Sequence, residues 1–200
     1  MAQENEIEKK NLLTESEFQT LCKAFNVTDE DFFWQANTYF DTNNYELKNK
    51  GAALRIREKN SQFELTLKQP AEEGLLETNQ PLTKKEAEEA FTFGRLPAGE
   101  VKSQLETTLL ISLDDVKPLG TLKTRRTHVR YQAGMLFLDH SVYLDTEDFE
   151  VEIEGTSLKE VGNWLEEVLT TYNIPYRTTP NKIKRFFTKK QEIKKKKRTI

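Results

Sequence analysis

The stretches Glu6-Ile7-Glu8-Lys9-Lys10 and Glu150-Val151-Glu152-Ile153-Glu154 decide how this chain is interpreted. Both have the alternation of a β-strand, in which successive side chains point to opposite faces of the sheet. Each stretch therefore presents a row of carboxylates on one face, and Lys10 ends the first row. Such rows near both ends of the chain predict a sheet with one strongly charged face.

Other segments with the same alternation carry cations instead. Their apolar residues fall on the opposite face, as in Leu54-Arg55-Ile56-Arg57 and Glu64-Leu65-Thr66-Leu67-Lys68. A plain antiparallel sheet with one face in water explains any single strand of this kind. It does not explain why some strands repeat Glu and others repeat Arg or Lys. The basic positions are Arg55, Arg57, Lys68, Lys123, Arg125, Lys182 and Lys184.

The two kinds of row suit two kinds of ligand. Carboxylate oxygens are the ligands that Mg²⁺ and Mn²⁺ prefer. Arg and Lys bind phosphate oxygens, and Arg offers a fork of donors. Together the rows predict a site for a divalent metal and a polyphosphate.

Composition limits the alternatives. The chain has 200 residues, which is enough to bury a core, and no apolar run approaches the length of a membrane span. Because no signal segment opens the chain, we expect a cytoplasmic protein. Cys22 is the single cysteine and falls in an expected amphipathic helix, so it is interpreted as a buried structural thiol. With only two histidines, a His-rich zinc site is excluded.

Charge is unevenly distributed. Residues 189–198 contain seven Lys or Arg and one Glu, which leaves 23 basic and 32 acidic residues in the first 188. An acidic body argues against nucleic acid as the main partner. Residues 189–200 are expected to be a basic, disordered tail, with weak contact to RNA or an anionic surface as the alternative. The sequence does not choose between a monomer and a homodimer.

Helix starts are marked by capping-box patterns, Thr14 with Glu17, Thr83 with Glu86 and Ser157 with Glu160. They predict helices over 14–25, 84–93 and 157–172, and another is expected within 99–111. Strands are predicted at 4–12, 34–42, 51–59, 62–69, 74–80, 119–131, 134–144, 147–156 and 181–189. Short turns favour antiparallel hairpins. If the helices cover the apolar faces, the charged faces point into a closed barrel.

These elements resemble, in order, those of the CYTH superfamily, the triphosphate tunnel metalloenzymes. The resemblance begins with the Glu-x-Glu-x-Lys of Glu6, Glu8 and Lys10, spans residue 4 to about 187, and is nearest to the bacterial YjbK-like proteins. It implies an α+β fold with a closed eight-stranded antiparallel barrel flanked by helices, and one tunnel domain over residues 1–188. The other similar segments are Tyr39-Phe40-Asp41-Thr42, Leu54-Arg55-Ile56-Arg57, Lys123-Thr124-Arg125, Leu138-Asp139, Glu152-Ile153-Glu154 and Asn181-Lys182-Ile183-Lys184-Arg185-Phe186.

The resemblance also implies roles for residues. The implied metal ligands are Glu6, Glu8, Asp139, Glu152 and Glu154, with Glu77 and Glu150 as weaker candidates. The implied phosphate-binding residues are Lys10, Arg55, Arg57, Lys68, Lys123, Arg125 and Lys182. Arg126 and Lys184 are weaker phosphate-binding candidates. Arg126 lies on the other face of its strand from Arg125, and Lys184 is expected near the rim of the tunnel. The implied catalytic residues are Glu6, Glu8, Lys10, Glu152 and Glu154.

The implied activity is a Mg²⁺- or Mn²⁺-dependent hydrolysis of a triphosphate. Inorganic triphosphate, thiamine triphosphate and nucleoside triphosphates all share the phosphate chain that the basic residues would bind, so the sequence does not choose among them. Two other functions stay open. One is cyclisation of ATP in the manner of a class IV adenylate cyclase, and the other is binding of a polyphosphate or nucleotide without turnover.

Overall fold

The computed structural model describes the backbone of residues 2–198. The described residues form eight strands and six helices, and two short 3₁₀ turns lie at Asp29–Asp31 and Leu113–Asp115. The strands are β1 (Ala2–Leu13), β2 (Phe33–Thr42), β3 (Ala53–Lys59), β4 (Gln62–Pro70), β5 (Leu75–Leu82), β6 (Val116–Tyr131), β7 (Gly134–Tyr143) and β8 (Thr146–Gly155). The helices are α1 (Glu15–Ala24), α2 (Glu46–Asn49), α3 (Lys84–Phe93), α4 (Glu100–Thr107), α5 (Leu158–Thr171) and α6 (Lys182–Arg198).

The eight strands hydrogen-bond in the order β1-β5-β4-β3-β2-β6-β7-β8 and close as a barrel. All of the pairings with a determined register are antiparallel. The closed eight-stranded antiparallel barrel expected from the sequence is therefore confirmed, as are the eight strands predicted before residue 157 to within a few residues at each end.

The chain divides into two compact units, and each combines separate stretches of sequence. Unit 1 contains residues 1–7 and 35–121, and unit 2 contains residues 8–34 and 122–200. The single domain expected over residues 1–188 stays a prediction. Each unit contributes a group of strands with one apolar and one charged face.

In unit 1 the apolar faces of β3 and β4 form the core with α3 and α4. Leu54, Ile56, Leu65 and Leu67 are completely buried, as expected from their alternation with charged residues. They pack in one cluster with Val101 and Leu105 of α4 and Ala87 and Ala90 of α3. Burying these side chains contributes about 1.5–3 kcal/mol for each of the larger ones.

In unit 2 the apolar faces of β7 and β8 are buried in the same way. Leu136, Leu138, Val151 and Ile153 are completely buried, and α1 and α5 contact β8. The helices start where the sequence predicts. Thr14 and Thr83 form complete capping boxes, and the Ser157 side chain accepts a hydrogen bond from the Glu160 backbone N–H.

The strand predicted at 181–189 is wrong, because these residues begin helix α6. The sequence Lys-Ile-Lys-Arg-Phe-Phe alternates over its first three residues, but it also has helical spacing. In the helix, Lys182 and Arg185 are three residues apart and both contact carboxylates of β8, while Phe186 and Phe187 are buried. Residues three apart lie on the same face of a helix. A strand would place them on opposite faces.

The disordered tail expected over 189–200 is also corrected, because α6 continues to Arg198. The last two residues of that prediction, 199 and 200, lie outside the described part of the chain. In the described chain, no helix combines the length and apolar character needed to cross a membrane.

Candidate active site

The charged face of unit 2 is ordered by strand register. Arg126 of β6 lies opposite Asp139 of β7, and Asp139 lies opposite Glu150 of β8. Residues directly opposite in an antiparallel pair project from the same face. Glu152 follows two residues after Glu150 and shares that face. Three neighbouring strands therefore bring one cation and three carboxylates together.

The three carboxylates form a compact acidic cluster. Asp139, Glu150 and Glu152 each place one carboxylate oxygen so that all three oxygens lie within 4.8 Å of one another. Asp139 and Glu150 are completely buried, and Glu152 is 3% exposed. Like charges this close and this deeply buried repel strongly unless cations lie among them.

Those cations come from three other elements. Lys182 is the first residue of α6, and its Nζ lies 2.8 Å from Asp139 Oδ2 and 2.7 Å from Glu152 Oε1. Arg126 donates from Nε and Nη2 to the two oxygens of Asp139, at 2.7 and 2.6 Å. Lys10 of β1 lies 3.4 Å from Glu152. Glu150 also contacts Lys182, and Glu152 also contacts Arg126.

This network shifts the pKa values of its members. Burial acts to lower the pKa of Lys182 and Arg126, but the neighbouring carboxylates raise both well above their usual range. Burial acts to raise the pKa of Glu152, but Lys182, Lys10 and Arg126 hold it well below its usual range. Burial and the Glu152 carboxylate together raise the pKa of Glu150 to about 7, even though Lys182 opposes the shift.

Arg185 belongs to the same network and is absent from the sequence-based list. Its Nε lies 2.9 Å from Asp148 Oδ2, and its Nη2 contacts Glu150. Its Nη1 donates to the Pro180 carbonyl at 2.6 Å. The signal that identifies it is the helical spacing from Lys182, which the strand interpretation of this segment concealed.

A second pair of carboxylates in unit 2 is more accessible. Glu8 of β1 and Glu154 of β8 are half-buried, and their carboxylate oxygens approach within 4.8 Å. The Lys10 ammonium contacts Glu8. Glu6 precedes Glu8 by two residues on the same face of β1. Each of these acidic residues was identified from the Glu-x-Glu patterns of the sequence.

Unit 1 contains its own charged cluster. Lys68 of β4 lies opposite Glu77 of β5 in the register, contacts its carboxylate, and also lies 2.5 Å from Glu6. Arg55 of β3 is 8% exposed, and its Nη2 lies 4.0 Å from Glu77. Burial acts to raise the pKa of Glu77, but Lys68 and Arg55 lower it to about 2. Arg57 follows two residues after Arg55 on the same face of β3.

Two of the sequence-based phosphate-binding assignments, Lys123 and Arg125, need correction, and Lys184 lies apart from the acidic cluster. Lys123 and Arg125 lie on the opposite face of β6 from Arg126, and Arg125 pairs with Asp29 at 2.7 Å beneath the ring of Phe32. The predicted faces of Arg125 and Arg126 were therefore reversed. Lys184 is exposed on α6. These three residues do not join the charged cluster of unit 2, whereas Arg126 does.

The donor set fits a hard divalent cation. The carboxylates of Glu8 and Glu154 are neighbours, carry oxygen donors and stay partly open to solvent. Mg²⁺ and Mn²⁺ take such ligands and usually keep several waters. Asp139, Glu150 and Glu152 offer oxygens too, but Lys182 and Arg126 already occupy them. Lys10 also contacts Glu8, so it is the greater accessibility of Glu8 and Glu154 that makes this pair the better fit.

Comparison with known proteins agrees with this fold. Residues 4–187 match the family model described as the CYTH domain, and the chain belongs to this family. It is 44% identical over 192 residues to the Bacillus subtilis (strain 168) protein named "Putative triphosphatase YjbK", covering 96% of this chain and 99% of that one. The resemblance to the YjbK-like subgroup is thus confirmed.

Two solved structures are similar as well. A Bacillus halodurans protein called a "putative adenylate cyclase" is 45% identical, has a TM-score of 0.90, and is matched over 94% of this chain and 100% of its own. The Hippeastrum protein HpAC1, for which a dominant triphosphatase activity is stated, is 25% identical with a TM-score of 0.76, over 92% of this chain and 95% of its own.

Proposed function

We propose that the protein is a divalent-metal-dependent triphosphatase that hydrolyses a phosphoanhydride bond of a triphosphate bound inside the barrel. The observation that carries this proposal is the buried network of Asp139, Glu150 and Glu152 with Lys10, Arg126 and Lys182. Burying so many ionised groups is costly. A network of this kind is typical of a functional site, where charges are arranged in advance for a charged ligand. The name of YjbK and the activity stated for HpAC1 support the same class of reaction.

Each unit contains its own proposed phosphate-binding groups. Lys10, Arg126 and Lys182 in unit 2, and Arg55, Arg57 and Lys68 in unit 1, donate to phosphate oxygens. Several of these donors contact carboxylates of the protein. When such a donor binds a phosphate oxygen, it exchanges one anionic partner for another. Fixed donors of this kind stabilise charge on the transferring phosphoryl group and on the leaving oxygen.

The metal has a separate role. Glu8 and Glu154 would hold this ion, which would supply positive charge to the phosphate chain. A carboxylate of the site orients the attacking water. The water oxygen bonds to the terminal phosphorus as the anhydride bond breaks, the electron pair leaves on the diphosphate, and the proton lost by the water passes to solvent. For inorganic triphosphate, the products are phosphate and diphosphate.

A phosphate-release screen tests the activity. We expect release from one or more of inorganic triphosphate, thiamine triphosphate, ATP and GTP, measured separately with Mg²⁺ and Mn²⁺. Cyclic AMP is assayed in the ATP reactions, because the name of the Bacillus halodurans protein favours cyclisation as the second candidate. Cyclic AMP and diphosphate without phosphate release would assign a cyclase. Tight binding with no product would assign a non-catalytic binding protein.

Phosphate binding is tested with two arginines on different faces. We expect Arg55→Ala to weaken binding of inorganic triphosphate by about 2–5 kcal/mol, the scale for truncating one partner of a buried charge pair. Arg125→Ala is the matched control, because Arg125 lies on the opposite face of β6 and pairs with Asp29. Isothermal titration calorimetry measures both. Equal weakening by the two substitutions would contradict the assignment of Arg55.

A further inference from the structure

Unit 1 contains a row of buried polar groups without hydrogen-bond partners. Two nitrogens of Arg55, Nε and Nη2, have no partner among the described residues, and neither has the Thr66 hydroxyl or the Oδ1 of Asn79. Arg55 is 8% exposed and Thr66 is completely buried. A buried polar group left unsatisfied costs about 1–3 kcal/mol, so native proteins rarely leave several together.

Strand register places these groups side by side. Arg55 of β3 lies opposite Thr66 of β4, and Thr66 lies opposite Asn79 of β5. The three side chains therefore share one face and follow each other across three strands, about 4.5–5.5 Å apart at their Cα atoms. The Asn79 amide nitrogen donates to Glu4 Oε1 at 3.1 Å, so the unsatisfied Asn79 atom is the oxygen that points away from that bond.

The buried hydroxyls of Thr124, Ser141 and Thr78 have hydrogen-bond partners. Thr124 and Ser141, which are also completely buried, hydrogen-bond to each other at 3.1 Å. Thr78 is one residue before Asn79 and faces the other side of β5, where its hydroxyl accepts from Gln3 Nε2 at 3.2 Å. Thr66 is a buried strand threonine like Thr124 and Thr78, but its hydroxyl has no hydrogen-bond partner among the described residues.

The unsatisfied donors of Thr66 and Arg55 indicate an anionic ligand, whereas the Asn79 oxygen is an acceptor and needs a different partner. Lys68, the nearby cation of β4, already contacts Glu6 and Glu77, so an anion that binds there must compete with carboxylates. The Thr66 hydroxyl has no such competitor, and Arg55 has only the long ion pair of Nη2 with Glu77 at 4.0 Å. One donor is neutral and the other is cationic, and both can donate to a phosphate oxygen.

We propose that Thr66 is a substrate-binding residue, and that its hydroxyl donates to an oxygen of the triphosphate chain that Arg55 also contacts. This inference rests on the proposed function, because it assigns a further residue to the same substrate. It also accounts for a buried hydroxyl that has no partner among the described residues, since the substrate supplies the acceptor.

The test compares Thr66→Val with Thr78→Val. Valine has nearly the shape of threonine and lacks the hydroxyl. We expect Thr66→Val to weaken inorganic triphosphate binding by about tenfold, the scale of one hydrogen bond to a charged group. The same variant is expected to melt at an equal or higher temperature without ligand, because an unsatisfied group is removed. Thr78→Val is expected to bind normally and to melt at a lower temperature, because it loses a satisfied hydrogen bond.

Calorimetric titration with inorganic triphosphate and thermal melts of the ligand-free proteins give both quantities. Thr66→Ser, which keeps the hydroxyl, should bind as the original protein does. If the original protein binds inorganic triphosphate and Thr66→Val binds it equally well, the inference is wrong and the proposed function stands. If the original protein does not bind it, the proposed function fails for this substrate. A lower melting temperature of ligand-free Thr66→Val with unchanged binding would assign Thr66 a structural role.

Discussion

We expect Lys182→Met to abolish most of the activity and to destabilise the fold by about 3–5 kcal/mol, the cost of removing one partner from a buried ion pair. Lys182 Nζ contacts Asp139, Glu150 and Glu152, and no other residue of α6 reaches all three in the described structure. Its removal leaves the buried acidic cluster with less positive charge. Chemical denaturation measures the loss of stability, and phosphate release measures the loss of activity.

Lys184→Met is the matched control. Lys184 lies two residues further along α6 and is exposed. Its substitution changes the net charge of the protein by the same amount, so nonspecific electrostatics affect both variants alike. We expect normal activity and a change in stability of less than about 0.5 kcal/mol for Lys184→Met. If both variants lose the same stability, the interpretation of the buried network is wrong.

The acidic cluster also predicts how stability depends on pH. Burial raises the pKa of Glu150 to about 7 in the folded protein, against an ordinary value of 4.5. A carboxyl with a raised pKa holds its proton more tightly in the folded state than in the unfolded state. Its contribution to stability therefore falls as the pH rises from about 4.5 to about 7. In Lys182→Met the pKa of Glu150 should rise further, because an opposing positive charge is removed. The loss of folding stability with rising pH should then continue above neutral pH.

The sequence predicted the barrel because the alternation of apolar and charged residues in its strands shows which face of each strand is buried. Leu54, Ile56, Val151 and Ile153 alternate with charged residues, so burial of one face also fixes the orientation of the other. Capping boxes at Thr14 and Thr83 marked helix starts in the same direct way. Local chemistry determines these features, and no distant contact is needed to recognise them.

The wrong predictions arose where the local sequence pattern is compatible with two structures. Arg125 and Arg126 are adjacent, so one must face each side of β6, and only the pairing of Arg126 with Asp139 shows which. The segment from Lys182 to Phe187 fits both a strand and a helix over so few residues. The unsatisfied state of Thr66 depends on what lies opposite it in β3 and β5, which no single strand reveals.

Metal removal should have the largest effect on catalysis. We expect excess EDTA to abolish turnover, and Mg²⁺ or Mn²⁺ to restore it, because the carboxylates of Glu8 and Glu154 lie within 4.8 Å with oxygen donors that these ions prefer. Full turnover in EDTA would exclude the proposed mechanism. Glu154→Gln should lower activity by about 10²-fold or more, the scale for loss of one electrostatic element of an active site.

Glu154→Gln also separates a metal ligand from a structural residue. Two carboxylates this close repel each other in the metal-free protein, so replacing one by an amide should leave the metal-free melting temperature unchanged or higher. Added Mn²⁺ should then raise the melting temperature of the original protein more than that of Glu154→Gln, because binding to the folded state stabilises it. Glu166→Gln, on the exposed side of α5, is the control and should behave like the original protein. If Mn²⁺ stabilises Glu154→Gln as much as the control, Glu154 is not a ligand, and the metal must bind at another group of carboxylates.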